Sequence, residues 1–73
     1  MTLSQMKENQ AGKITHIKND TVLLRRLFDM GFVEGQDITC MNVGMFGTPI
    51  AFNVRGTKVA LRKKDADLIG VIL

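Results

Sequence analysis

With 73 residues, 45% apolar and 23% charged, the chain is expected to be a single globular domain over residues 1–73. It is too small to enclose a deep substrate cavity and must use nearly all its large apolar side chains in the core. The lone cysteine, Cys40, excludes an internal disulfide framework and suits a reducing compartment. Without a basic-then-apolar leader or an apolar run of roughly 20 residues, the expected location is the cytoplasm. A net charge of +3 is carried with both signs interspersed, Arg25-Arg26 before Asp29 and Arg62-Lys63-Lys64 before Asp65 and Asp67, so no long single-sign field points to a polyanionic partner.

In the first ten residues only Leu3 and Met6 can anchor the chain, as a short strand or turn across the end of the domain. Lys13 to Lys18 is rich in β-branched residues and reads as a strand. Its isoleucines, Ile14 and Ile17, are three apart rather than two, which predicts a bulge or an early exit. Asp20 or Thr21 can then cap a helix over about residues 21–30. Leu23, Leu27 and Met30 lie on its core-facing stripe, with Leu24 and Phe28 about 100° further round. Gly31 permits the left-handed turn that stops the helix and lets Phe32 fold back onto Leu27.

Beyond Gly35 the period changes to two. Ile38 and Cys40, then Ile50, Phe52 and Val54, then Val59 and Leu61 alternate with their neighbours, predicting three successive strands. They are joined by a loop from Gly44 to Pro49 and by a tight turn at Arg55-Gly56. A helical turn is expected near residues 65–69 and a closing strand over Gly70 to Leu73. Five short strands with one interposed helix describe a mainly β, partly open barrel.

Catalytic chemistry is nearly excluded by inventory. The chain has one histidine and no tyrosine or tryptophan, and it lacks the phosphate-cradling and nucleophile-elbow patterns, so a nucleophile would have neither base nor orienting group. His16 and Cys40 are both possible soft or borderline metal ligands, and neither has a second ligand at metal-binding spacing. They read as a strand-face residue and a small core hydrophobe, with no intrinsic cofactor expected and only weak or intermolecular transition-metal binding left open. Arg55, Lys58, Arg62, Lys63 and Lys64 could line a basic face. Single-strand nucleic-acid binders also need exposed aromatic platforms, however, and Phe32 and Phe52 are assigned to the core, so no nucleic acid is expected. Leu24 and Phe28 on the helix and Met45-Phe46 in the loop are the apolar residues left after core assignment, and either pair could dock a partner or tuck under the barrel.

Arg26-Leu27, Met30-Gly31-Phe32, Gly35, Phe46-Gly47-Thr48-Pro49 and Ala60-Leu61-Arg62 through Ala66, Ile69 and Val71 follow one another in an order and spacing that resembles the FeoA family, ferrous iron transport protein A. Two departures are mild: Asn9 stands where that pattern has an early glycine, and Glu34 where it has a turn proline. The resemblance implies an SH3-like barrel akin to the C-terminal domain of iron-dependent repressors, with no room for their helix-turn-helix domain. It also implies a cytoplasmic accessory of ferrous iron uptake that contacts the GTP-binding part of a FeoB-like membrane transporter and reaches the membrane only through it. Leu24, Arg25, Phe28, Met45 and Phe46 are the expected contact residues, and Gly31, Gly35 and Gly56 the structural turns and caps. A nucleic-acid-binding barrel and a metal-sensing module are the alternatives.

Overall fold

The computed structural model describes residues 1–18 and 21–73, with the backbone alone for residues 21–24. Strands β1 (Ala11–Ile17), β2 (Asp37–Val43), β3 (Ile50–Val54), β4 (Thr57–Leu61) and β5 (Ile69–Ile72) are joined by helices α1 (Thr21–Asp29) and α2 (Lys63–Ala66). All neighbouring strands pair antiparallel in the order β4-β3-β2-β1-β5. A 3₁₀ turn over Leu3–Gln5 and a bridge from Thr2 to Gly70 bring the first residues against β5.

The core explains why the sheet curls. Ile14, Ile38, Cys40, Phe52, Val54, Leu61, Ile69 and Val71 come from all five strands and form one buried cluster with Leu3, Met6, Leu27, Phe32 and Ala66. Inward residues from every strand can meet only if the sheet bends around them. Register shifts between Ile14 and His16 and between Cys40 and Asn42 supply the bends. The shift in β1 falls between the isoleucines whose odd spacing predicted it.

Two turns carry the geometry. The N–H of Phe32 donates to the carbonyl of Leu27 (2.9 Å) and that of Gly31 to Phe28 (3.0 Å), the paired bonds of a Schellman cap around Gly31 at φ +98°. Arg55 (φ +54°) and Gly56 (φ +79°) both take left-handed conformations, as a two-residue hairpin needs to match the twist of β3 and β4. Asn9 also has positive φ, at +71°.

Some boundaries differ from expectation. β1 begins two residues before Lys13 and ends at Ile17, because Ala11 and Gly12 already pair with Thr39 and Ile38 of β2. The helical turn lies at Lys63–Ala66 rather than near 65–69, since the Lys63 N–H donates to Thr48 Oγ1 (3.2 Å) and the extended Arg62 accepts from the Asp65 and Ala66 N–H groups. Ile69 is thereby freed to start β5, which pairs it with Ile17. α1 ends at Asp29, with Met30 as its cap residue. The expected cap at Asp20 or Thr21 and the side chains of Leu23 and Leu24 lie outside the described residues.

Candidate contact surfaces and the metal-ligand candidates

The Schellman cap that buries Leu27 and Phe32 turns Phe28 outward, leaving it 65% exposed. Phe28 lines an open groove of about 490 Å³ with Phe32, Val33 and Ile17, flanked by His16 and Glu34. Arg25, its expected charged rim, is exposed. Of the expected helix pair, only Phe28 is therefore placed.

Met45 and Phe46 are more exposed still, at 91% and 87%. Of the two outcomes left open for this pair, the structure selects protrusion over tucking beneath the barrel. The loop's own hydrogen bonds are part of the reason. Gly47 N–H donates to the Gly44 carbonyl and Gly44 N–H to the Pro49 carbonyl, both at 2.9 Å, and these bonds close the loop at its neck and aim its tip away from the core. The groove beside Phe28 draws none of its lining from this loop, so helix and loop present separate apolar features.

The two metal-ligand candidates have different surroundings. His16 is exposed on β1, its Nδ1 3.2 Å from Thr15 Oγ1. Cys40 is fully buried, with Sγ 4.0 Å from the Met6 carbonyl, and burial first, then the Glu8 carboxylate, push its thiol pKa up. A raised thiol pKa keeps the sulfur protonated, the form that neither attacks nor ligates well. Among the described residues no group of three or more His, Cys, Asp or Glu side chains could hold a metal ion.

The residues that could line a basic face, Arg55, Lys58, Arg62, Lys63 and Lys64, are all exposed. Arg62 pairs with Asp65 at 3.4 Å, and with Arg26, Met30, Ala60 and Leu61 these two line a cleft of about 310 Å³ between α1 and β4. Lys13 pairs with Asp37 at 3.2 Å on the exposed surface. Sequence reasoning missed the groove residues Val33 and Glu34, and the exposure of Ile72 and Leu73. Alternation past the buried Val71 was the available signal for Ile72.

The FeoA domain pattern matches residues 1–73. This chain belongs to the FeoA domain family. It is 30% identical over its full length to the Fe(2+) transport protein A/Fe(2+) transporter FeoB fusion protein of Porphyromonas gingivalis, and spans only 9% of that protein. The solution structure of iron(II) transport protein A from Clostridium thermocellum superposes with a TM-score of 0.96 at 33% identity, covering 100% of this chain and 45% of the other. FeoA of Stenotrophomonas maltophilia, complexed with zinc and described as a prokaryotic SH3 domain protein, superposes with a TM-score of 0.88 at 28% identity, covering 99% of this chain and 89% of that one. The fold of this FeoA domain is thus mainly β and SH3-like. Among the described residues no helix is long and apolar enough to cross a membrane.

Proposed function

We propose that this FeoA domain is a cytoplasmic accessory of ferrous iron uptake that acts by contact with the GTP-binding part of a FeoB-like membrane transporter. The observation that carries the reading is the fusion relative, whose full-length match to this chain is covalently joined to a transporter. Fusion holds two modules at high effective concentration, an arrangement that favours partners that must touch. Two features of the chain agree. His16 and Thr15 are exposed, with no carboxylate among the described residues hydrogen-bonded to the imidazole, which argues against nucleophilic catalysis. Large apolar side chains are displayed at Phe28, Met45 and Phe46, the kind of anchor from which protein contacts draw most of their free energy.

The test pairs binding with stability. Affinity for a detergent-solubilised FeoB-like transporter of the same organism and thermal unfolding are measured for Leu24→Ala, Arg25→Ala, Phe28→Ala, Met45→Ala and Phe46→Ala. At least one apolar truncation should weaken binding by about 1–3 kcal/mol while changing stability by less than about 0.5 kcal/mol. Phe52→Ala, in the core, should instead cost about 3–5 kcal/mol of stability. Failure of the unaltered domain to bind would overturn the reading. Salt-sensitive oligonucleotide binding or stoichiometric ferrous iron would favour the nucleic-acid or metal-sensing alternatives.

A further inference from the structure

We propose that the loop between β2 and β3 is a membrane-interface wedge, in which Met45 and Phe46 enter the headgroup boundary of an anionic bilayer while Lys63 and Lys64 meet lipid phosphates. The domain would then touch the membrane directly, rather than only through a transporter.

Three observations point to lipid. Met45 and Phe46 are adjacent, 91% and 87% exposed, and stand at the tip of a protruding turn outside the groove that Phe28 lines. A convex apolar tip needs a matched pocket on a protein partner, whereas a bilayer admits it without one. The loop is also braced. Beyond the two 2.9 Å bonds at its neck, a Cβ on Gly44 would clash with the Thr48 carbonyl group, so the two sides of the neck are pressed together and little order remains to be imposed on insertion. Finally, the bond from Lys63 N–H to Thr48 Oγ1 sets the first turn of α2 against the loop.

That bond holds the backbone of Lys63 beside Thr48, two residues after Phe46. Lys63 and Lys64 are exposed, and neither has a carboxylate within 4.0 Å among the described residues. The acids of the same segment are engaged elsewhere, Asp65 with Arg62 and Asp67 with the Ser4 hydroxyl. Glu8 lies on the β2 side of the neck, its Oε1 accepting from the Val43 N–H at 3.3 Å. An apolar wedge with two lysines supplies the paired signals that reversible association with anionic lipid requires.

The chain contains no tryptophan, so Phe46→Trp places a single fluorescent reporter at the tip and Phe28→Trp a matched one on α1. With vesicles rich in phosphatidylglycerol, the emission of Phe46→Trp should shift to shorter wavelength and be quenched by bromine-labelled acyl chains, and that of Phe28→Trp should not. Adding Met45→Ser should lower partitioning about tenfold. Lys63→Gln and Lys64→Gln should each lower it about fivefold at low salt. Thermal unfolding of each variant confirms that it is folded. Unchanged Phe46→Trp emission with these vesicles overturns the proposal, as does equal partitioning into pure phosphatidylcholine. A shift seen only with solubilised transporter makes the tip a protein contact, which overturns the wedge and leaves the proposed function standing.

Discussion

Among the glycines with positive φ, Gly31 is the one where packing also crowds an added side chain. At φ +98° any other residue is strained, and a Cβ there would lie 2.9 Å from Arg55 Cδ and 3.2 Å from Val54 Cγ1. The Arg55 side chain is exposed and can swing away. Val54 is branched and fully buried and cannot. Gly35 is the natural control, because its φ is +84° and a Cβ added there would meet nothing within 4 Å. Both alanine variants carry left-handed strain of about 1–2 kcal/mol. Gly31→Ala adds crowding against Val54 at the lower end of the overpacking range, about 1–2 kcal/mol. The totals are about 2–4 kcal/mol for Gly31→Ala and about 1–2 kcal/mol for Gly35→Ala. In a domain this small each kcal/mol moves Tm by about 4–8 °C, so roughly 10–30 °C and roughly 5–15 °C are expected. Gly31→Val should be worse than either, because a β-branched residue tolerates positive φ least. Thermal unfolding followed by circular dichroism measures all three. Gly31→Ala no less stable than Gly35→Ala would refute the packing argument, and an unchanged Tm for Gly31→Val would refute the cap.

Two further outcomes follow from Cys40 and His16. Because burial and Glu8 raise the Cys40 pKa in the fold above its ordinary 9.0, the unfolded thiol ionises first: its contribution is complete below about pH 9 and is lost as pH rises through the folded value. The Tm of the unaltered domain should therefore fall more steeply above that pH than that of Cys40→Ala, and parallel alkaline slopes would contradict the assignment. Anaerobic dialysis against ferrous or zinc ions should leave well under one equivalent bound, measured by elemental analysis. Stoichiometric metal that disappears in His16→Ala or Cys40→Ser would reverse that reading.

The legible parts of the fold are those set by near neighbours. Period-two alternation identified the inward residues of β2, β3 and β4, and the odd spacing of Ile14 and Ile17 marked the bulge, because side-chain direction along a strand depends on backbone geometry alone. Gly31, Gly35 and Gly56 were readable as turns for the same reason, and all three have positive φ. The start of α2 was not, since the acceptor for the Lys63 N–H is Thr48, fifteen residues earlier. Phe28 was identified as a shoulder residue, but its exposure depended on where the cap at Gly31 set the helix against the barrel.

The loop pair divides the two kinds of information most clearly. Sequence by itself determined that Met45 and Phe46 are large, apolar and flanked by glycines, and that the strands on either side can fill a core without them. It could not decide whether they cover that core. Only the tertiary structure did, because the bonds from Gly47 to Gly44, Gly44 to Pro49 and Lys63 to Thr48 set the direction in which the loop leaves the barrel, and the last of these forms only once β4 has brought α2 alongside.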